Sequence, residues 1–138
     1  MNIGVVPARL DSTRLPRKIL ADLNGKPLVA HVMERALQSK TLDKVILAID
    51  SEETSEALSQ FDFEMTMTSS NHVSGTDRIA EVVKEIPDAE IIVNIQGDEP
   101  LILPNDLKIV VNKIKKNPKI KYWNAVGNVS KEELFSHD

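Results

Sequence analysis

The sequence predicts a single α/β domain, residues 1–138, in which a mostly parallel sheet is covered by helices on both faces. Strand-like and helix-like segments alternate along the whole chain. The strand-like segments, such as "KVILAID" and "EIIVNIQ", are nearly continuous apolar runs, which is typical of strands buried on both sides. A length of 138 residues fits one ordinary domain.

The first predicted strand is "NIGVVP", residues 2–7. We expect it to end at Pro7, because proline cannot donate a hydrogen bond to a ladder. A long polar loop follows over residues 8–24, and loops of this length in compact domains are commonly functional. Asn24 and Gly25 form a turn signal at its end.

The first predicted helix begins at Pro27, since proline is favoured in the first turn of a helix. Its apolar residues recur at helical spacing and are expected to share one face. They are Leu28, Val32, Met33, Ala36 and Leu37.

The later elements continue the alternation. Strands are predicted over residues 44–50, 64–69, 90–100 and 122–129, and helices over residues 51–61, 74–86 and 104–116. Ser51 and Ser74 precede two of these helices and are expected to cap them. The strand over 90–100 is the strongest in the chain and stops at Gly97 and Pro100.

The composition excludes several classes of protein. With 17 basic and 21 acidic residues, the net charge is −4, which argues against a nucleic-acid binder with a broad basic face. The absence of cysteine excludes disulfides and thiolate metal sites and fits a reducing compartment. No apolar run approaches the length of a signal peptide or a membrane span. We therefore expect a cytoplasmic protein that binds neither nucleic acid nor a membrane.

Three polar segments are expected to meet at one edge of the sheet. They are residues 8–18 after the first strand, 69–78 before the third helix, and 96–100 after the strongest strand. Open parallel sheets bind their ligands beyond the carboxyl ends of the strands. The sequence therefore predicts a ligand site at this edge.

The basic loop "PARLDSTRLPRK", residues 7–18, is the first candidate for ligand binding. It carries four cations against the single carboxylate of Asp11, and these are Arg9, Arg14, Arg17 and Lys18. Arginine forks and a lysine could clamp a triphosphate, and Ser12 and Thr13 add hydroxyl donors. The alternative is a solvated loop whose charges pair with surface carboxylates.

The segment "QGDEP", residues 96–100, is the second candidate. Asp98 follows a strand and could hold Mg²⁺, which prefers carboxylate oxygens beside substrate phosphates. The alternative is a turn aspartate bonded to its own backbone. Gln96 could read a base edge with its amide or make a strand-end hydrogen bond, and Glu99 is a helper or a structural residue.

The segment "NHVSGTDR" is the third candidate. Gly75 and Thr76 at a helix start offer backbone N–H groups, and Arg78 adds charge or a base contact. For Ser74 and Asp77 we prefer a plain helix cap. The chain has no G-x-G-x-x-G motif, no P-loop, no Ser-His-Asp signature and no zinc-ligand spacing.

Four stretches in series carry a family resemblance. "VVPARLDSTRLPRK", "LNGKPLVAHVMERA", "MTSSNHVSGTDRIAEVV" and "IVNIQGDEP" resemble 3-deoxy-manno-octulosonate (Kdo) cytidylyltransferase, the CMP-Kdo synthetase, from residue 3 to about residue 106. The acylneuraminate cytidylyltransferases share the fold and the first motif, but "SGTDR" is more similar to the Kdo branch.

The resemblance implies a Rossmann-like nucleotidyltransferase fold that transfers CMP from CTP to Kdo and releases pyrophosphate. It implies that Arg9, Ser12, Arg14 and Lys18 line the triphosphate, that Ala8, Arg78 and Gln96 lie near the cytidine, and that Asp98 binds Mg²⁺. The residues expected to act in catalysis are Arg9, Arg14, Lys18 and Asp98. CTP and Kdo or an analogue are the expected partners, and the resemblance allows a homodimer.

Two departures from the family pattern bear on these expectations. The family usually has glycine where this chain has Arg17, and a side chain there would crowd the loop or add a phosphate contact. Family members also run well beyond residue 138, and their later half supplies a second metal-binding aspartate, much of the sugar-acid pocket and the dimer contacts. The sequence therefore leaves open two alternatives, a non-catalytic or partner-dependent CTP-binding fragment and a cytidylyltransferase for another sugar acid.

Overall fold

The computed structural model describes residues 1–12 and 15–123. Four parallel strands form one sheet and a two-stranded hairpin forms another: β1 (Asn2–Ala8), β2 (Asp22–Leu23), β3 (Lys26–Pro27), β4 (Lys44–Ile49), β5 (Glu64–Met67) and β6 (Ile91–Asn94). The helices are α1 (Leu28–Leu37), α2 (Glu52–Ala57), α3 (Gly75–Val83) and α4 (Pro104–Lys116), with a 3-10 turn at Lys18–Leu20. The predicted α/β architecture is confirmed in this part of the chain.

The main sheet has the strand order β5-β4-β1-β6. The chain runs outward from β1 to β4 and β5 and then returns to add β6 on the other side of β1. This reversal makes the carboxyl ends of β1 and β6 a topological switch point, where open α/β sheets bind their ligands. The basic loop follows β1 and the segment "QGDEP" follows β6, so both lie at this point.

Two apolar clusters cover the two faces of the sheet. Successive residues of a strand point to opposite faces, so Val6 and Leu47 join one cluster while Val5 and Ile46 join the other. The first cluster contains the buried residues of α1 and α4, and the second contains Ile79 and Val82 of α3. Helices on both faces are therefore confirmed.

The prediction that β1 ends at Pro7 was wrong, since the strand continues to Ala8. Pro7 lies opposite Ala48 of β4, whereas pairing with β6 stops at Val5. The Val5 carbonyl accepts a hydrogen bond from Ile95 (3.0 Å), and alternate residues of a strand point their backbone groups to the same side. The nitrogen of Pro7 thus faces the side where the ladder has ended, and no hydrogen bond is lost.

Residues 8–24, predicted as a polar loop, contain regular secondary structure. It contains the 3-10 turn and strand β2, which pairs with β3 across Asn24 and Gly25. Both turn residues have positive φ, 53° and 87°, as a two-residue hairpin of the Asn-Gly type requires. The turn signal is confirmed, and it closes a small hairpin that leads into α1.

Helix α1 buries a different set of residues from the one predicted. Leu37, its last residue, is exposed, whereas Val29 and Ala30 are buried. The helix contacts the sheet on one side and α4 on another, so its buried face is wider than a single stripe. The face at Val32, Met33 and Ala36 is as predicted.

The remaining helices begin where the sequence indicates. The Ser51 hydroxyl accepts from the Glu53 N–H (3.2 Å) and the Ser74 hydroxyl accepts from the Asp77 N–H (3.2 Å), which confirms both caps. Helix α4 has the predicted bounds. None of the helices in the described ranges is long and apolar enough to cross a membrane.

The prediction for the strongest strand was partly wrong. Within the described ranges β6 is an edge strand of four residues, Ile91–Asn94, and alternate residues such as Ile92 and Asn94 are exposed. Apolar character alone does not reveal whether a strand has a neighbour on both sides. The strand predicted over residues 122–129 lies outside the described residues from residue 124 onward.

Candidate functional site

A cleft of about 260 Å³ opens at the carboxyl edge of the sheet. Its lining comes from the end of β1, from the start of α3 with the loop before it, and from the segment after β6: Pro7, Arg9, His72, Val73, Ser74, Gly75, Arg78 and Gln96. The three polar segments that the sequence singled out therefore converge as expected, and the predicted residues Arg9, Arg78 and Gln96 share one cleft.

Two glycines allow the walls of the cleft to close around Pro7. A Cβ atom on Gly75 would lie 3.2 Å from the Pro7 ring, and one on Gly97 would lie 3.2 Å from the Pro7 carbonyl oxygen. Both distances are tighter than ordinary van der Waals contact. Glycine at these positions brings the first turn of α3 and the segment after β6 directly against the end of β1.

Arg78 is 3% exposed and has partners on two neighbouring strand ends. Its Nη1 donates to the Thr68 hydroxyl (2.5 Å) and to the Ser69 carbonyl (2.9 Å), both beyond β5. Its Nη2 lies 3.6 Å from Oδ2 of Asp50, at the end of β4. These contacts fix the side chain in the wall of the cleft, so Arg78 is a structural cation there as well as a lining residue.

Asp50 is a site residue that the sequence analysis missed. Its Oδ1 accepts a hydrogen bond from the backbone N–H of Leu10 (3.0 Å), in the basic loop, while its Oδ2 faces Arg78. The available signal was its position, because Asp50 is the polar residue directly after the buried strand β4. One carboxylate thereby connects two of the three segments that line the cleft.

Arg9 and Gln96 are both exposed at the cleft. Among the described residues, no carboxylate forms an ion pair with Arg9. The Gln96 amide donates to Oδ1 of Asn94 at 3.4 Å, a long and weak hydrogen bond. Both side chains can therefore bind a ligand without first giving up a strong partner.

Lys18 and Asp98 lie against each other. The Lys18 Nζ is 3.0 Å from Oδ2 of Asp98, and both side chains are about half exposed. The cation expected to contact phosphate and the carboxylate expected to hold Mg²⁺ thus form an ion pair. The alternative for Asp98 was a turn aspartate bonded to its own backbone. Among the described contacts, its side chain instead pairs with Lys18.

Arg17 is not among the residues that line the cleft, and it forms an ion pair with Glu53 of α2. For this residue the solvated-loop alternative was the right one. Its φ of 58° lies in the left-handed region that favours glycine, which gives a physical reason for the glycine usual at this place in the resembling family. The side chain neither crowds the cleft nor lines it.

The other predicted residues have separate positions. Ala8 ends β1 and is buried at 1% exposure, so a contact with a ligand would come from its backbone. Ser12 is half-buried and is not among the cleft residues. Thr13 and Arg14 lie outside the described residues.

His72 is a second lining residue that the sequence analysis did not select. Its Nε2 lies 3.4 Å from Oε2 of Glu81, and the Glu81 carboxylate also accepts from the Ser69 N–H (3.1 Å to Oε2). These contacts join the loop before α3 to the middle of that helix. They place the imidazole at the rim of the cleft beside the segment that holds Arg78.

The described residues contain no cluster of three or more side chains suited to ligate a metal ion. Asp98 is a single half-exposed carboxylate, with the exposed Glu99 next to it. A hard oxygen donor of this kind suits Mg²⁺ when substrate phosphates and water supply the other ligands. The donor set therefore fits Mg²⁺ bound together with a nucleotide and does not form a metal cage of its own.

Comparison with known proteins gives consistent matches. The sequence profile of the cytidylyltransferase family matches residues 3–138. The 3-deoxy-manno-octulosonate cytidylyltransferase of Haemophilus influenzae (strain PittGG) is 53% identical over 134 residues, which are 96% of this chain and 52% of that protein. The chain spans about half the length of the curated relatives it matches.

Solved structures agree with the fold. The structure of CMP:2-keto-3-deoxy-manno-octonic acid synthetase complexed with CTP has a TM-score of 0.81 and 40% identity, covering 86% of this chain and 49% of that one. A nucleotidyl transferase from Methanothermobacter thermautotroptrophicus is similar in fold alone, with a TM-score of 0.69 and 23% identity over 81% of this chain and 57% of that one. The predicted nucleotidyltransferase-type α/β fold is confirmed.

Proposed function

Since this chain belongs to the cytidylyltransferase family, we propose that it binds CTP and supplies the nucleotide site for transfer of CMP to the sugar acid Kdo. The observation that carries the proposal is the convergence of three segments, with Arg9, Arg78 and Gln96, on one cleft at the switch point of the sheet. The relatives that match over 96% of the chain carry the Kdo cytidylyltransferase name.

The cations of the basic loop bind the triphosphate in this proposal. Arg9 is exposed at the cleft with no ion-pair partner among the described residues, and Lys18 has one exposed partner, so both can turn to phosphate oxygens. Arg14 and Ser12 complete the predicted set on the same loop. Charge-assisted hydrogen bonds from several cations stabilise the negative charge that the phosphates carry through the transfer.

In this proposal the cytidine lies against Gln96 and the end of β1. Gln96 offers an amide that can both donate to and accept from a base edge, and the backbone of Ala8 lies at the end of the adjoining strand. Arg78 uses two guanidinium nitrogens to fix its side chain in the wall of the cleft. Because it also lines the cleft, it is part of the proposed contact with the base.

Asp98 would hold Mg²⁺, which supplies positive charge beside the phosphates when bound. Lys18 contacts only Oδ2 of the carboxylate, and a bound ion would compete with Lys18 for its negative charge, so Lys18 could then bind a phosphate oxygen. The exposure of both side chains makes such an exchange sterically simple.

The reaction is a substitution at the α-phosphorus of CTP. A hydroxyl oxygen of the sugar acid forms the new bond to that phosphorus, the bond to the β-phosphate bridging oxygen breaks, and pyrophosphate leaves with the electron pair. The hydroxyl proton is released. The protein's part is to hold the reacting groups in line and to stabilise charge on the phosphate oxygens.

Titration calorimetry with CTP, UTP and ATP in the presence of Mg²⁺ tests the binding part of the proposal. We expect CTP to bind more tightly than ATP, whose purine is larger than the base the wall is proposed to receive. Equal affinity for all three nucleotides would contradict a cytidine site. Release of pyrophosphate from CTP with Kdo, compared with other sugar acids, tests the choice of acceptor.

CTP binding without turnover by these 138 residues alone is the second candidate. It is favoured by the coverage, since the matching relatives are about twice as long. CTP binding without measurable pyrophosphate release would support it, whereas release at ordinary enzyme rates, on the order of 1–10³ per second, would contradict it. A cytoplasmic location, a role in lipopolysaccharide synthesis and a homodimer remain parts of the proposal for the whole enzyme.

A further inference from the structure

We propose that Asp50 is a positioning residue that fixes the basic loop against helix α3 and thereby sets the geometry of the triphosphate site. The inference rests on the proposed function, because it assigns the loop to the triphosphate. Asp50 itself would touch no substrate. Its effect would pass through the Leu10 backbone on one side and through Arg78 on the other.

The position of Asp50 makes it suited to this task. It follows the last residue of β4, a strand that is buried from Val45 to Ile49 and pairs with β1, so its backbone is held by the centre of the sheet. Its side chain is 11% exposed. Each carboxylate oxygen faces a different segment, Oδ1 at 3.0 Å from the Leu10 nitrogen and Oδ2 at 3.6 Å from Nη2 of Arg78.

Among the described residues of the basic loop, Arg17 and Lys18 at its end form exposed ion pairs with Glu53 and Asp98. Between Arg9 and Pro16, the bond from Leu10 to Asp50 is the one hydrogen bond that joins a described loop residue to another described part of the protein. Arg9, the cation of this loop that lines the cleft, is the residue directly before Leu10. A hydrogen bond that fixes the Leu10 amide therefore also restricts the backbone from which Arg9 reaches the cleft.

The contact with Arg78 gives the carboxylate its second role. Arg78 is 3% exposed, and its other two described acceptors, the Thr68 hydroxyl and the Ser69 carbonyl, are neutral. Asp50 is therefore the one carboxylate, among the described residues, that forms an ion pair with this buried guanidinium. A buried cation without its counter-charge is costly, so removing Asp50 should loosen the start of α3 as well as the loop.

The alternative explanation is that Asp50 only stabilises the fold. The two explanations differ in how they affect ligands that do or do not use the loop. A positioning residue for the triphosphate site should affect CTP, with three phosphates, far more than CMP, with one. A residue that only stabilises the fold should lower the melting temperature and leave the ratio of CTP affinity to CMP affinity unchanged.

The test measures dissociation constants for CTP and CMP by calorimetry at a temperature well below unfolding. Asp50→Ala should weaken CTP binding about tenfold more than it weakens CMP binding, the effect of one charge-assisted hydrogen bond, because both ligands use the wall at Arg78 but only CTP carries the further phosphates that the loop binds. Asp50→Asn keeps an oxygen that can accept from the Leu10 N–H, so its ratio of CTP affinity to CMP affinity should stay close to that of the wild type. Thr68→Val is the matched control, because it removes an acceptor of Arg78 without touching the loop, and should lower stability but keep the ratio.

Hydrogen exchange at the Leu10 amide gives a readout that does not need the nucleotide. Exchange should be faster in Asp50→Ala than in the wild type. If the wild type binds no CTP, the proposed function fails, and the exchange rates still decide whether Asp50 holds the loop. If Asp50→Ala does not fold, Leu10→Pro removes the donor from the loop side and should produce the same selective loss of CTP affinity.

Three results would overturn the proposal. One is an unchanged ratio of CTP to CMP affinity in Asp50→Ala, or in Leu10→Pro where that variant replaces it. Another is a selective loss of CTP affinity in Thr68→Val equal to that in Asp50→Ala. The third is exchange of the Leu10 amide in Asp50→Ala that is no faster than in the wild type.

Discussion

The Nζ of Lys18 lies 3.0 Å from Oδ2 of Asp98, although the two residues are 80 positions apart in the chain. The contact joins the end of the basic loop, which follows β1, to the segment after β6, and β1 and β6 are the two strands that border the switch point. Each residue is the counter-ion of the other. Binding of CTP with Mg²⁺ should therefore replace one ion pair by two contacts, phosphate with Lys18 and the metal ion with Asp98.

Replacing Lys18 by methionine should weaken CTP binding and strengthen metal binding in the absence of nucleotide. CTP should lose about 1.5–3 kcal/mol of binding free energy, the range for hydrogen bonds to charged groups. Mn²⁺, used as a spectroscopic substitute for Mg²⁺, should bind more tightly to the nucleotide-free variant because Asp98 no longer has a cation beside it. Calorimetry and electron paramagnetic resonance measure the two effects.

Lys26→Met is the matched control for this variant. Lys26 also pairs with a carboxylate, that of Glu34 at 2.8 Å, and its side chain has nearly the same exposure, 41% against 43% for Lys18. Its hairpin contributes no residue to the cleft. Equal effects of the two substitutions on CTP affinity would remove Lys18 from the site.

Asp98→Asn should abolish the Mg²⁺-dependent tightening of CTP binding. The amide keeps the shape of the side chain but removes the charge that a hard cation prefers. Titration of CTP with and without Mg²⁺ measures the effect. Full Mg²⁺ dependence in this variant would mean that another carboxylate holds the ion, and Glu99→Gln, at the neighbouring exposed residue, would then show the loss instead.

At Arg17, glycine should be tolerated and valine should not. Arginine with a φ of 58° bears a left-handed cost of about 1–2 kcal/mol. Arg17→Gly removes that cost, loses an exposed ion pair worth about 0–1 kcal/mol and adds about 0.5–1 kcal/mol of chain entropy. The free energy of unfolding should therefore change by between about −1 and +1.5 kcal/mol.

Arg17→Val should be less stable than Arg17→Gly by about 1–2 kcal/mol, because a β-branched residue strongly disfavours positive φ. Urea unfolding measures both variants, and Glu53→Gln isolates the contribution of the ion pair without changing the backbone. A valine variant as stable as the glycine variant would mean that residue 17 is not left-handed in solution.

Gly97→Ala should damage both the fold and the site. The new Cβ would lie 3.2 Å from the Pro7 carbonyl oxygen, and a backbone atom of a central strand cannot easily move away. We expect a loss of about 1–3 kcal/mol of unfolding free energy, typical of overpacking, and weaker CTP binding because Gln96 and Asp98 flank the displaced residue.

Gly4→Ala separates these two effects. A Cβ atom at residue 4 would lie 2.9 Å from the Cδ1 atoms of Ile95 and Leu42, which are the ends of flexible side chains and not backbone. We expect a loss of stability with CTP affinity retained. Urea unfolding and calorimetry on both variants check the prediction, and a retained CTP affinity in Gly97→Ala would contradict the importance of the close approach at Pro7.

Much of the fold could be predicted because the signals are local. Helix α4 begins and ends at the predicted residues, and the serine caps of α2 and α3 depend on atoms two or three residues away. The hairpin turn follows from two adjacent residues that accept positive φ. The less accurate predictions are those of burial, which depends on what packs against an element. Leu37 fits the helical period but is exposed, and β6 is apolar but lies at an edge of the described sheet.

By itself, the sequence determined the alternation of the main-sheet strands and the helices along the chain, the three polar segments at the carboxyl edge, and the family resemblance carried by their motifs. The tertiary structure decided which of those polar residues meet. Asp50 reaches Leu10 across 40 positions and Lys18 reaches Asp98 across 80, because β4 and β6 both pair with β1. Periodicity and capping depend on near neighbours, whereas contacts between loops depend on the order of strands in the sheet, which no local pattern encodes.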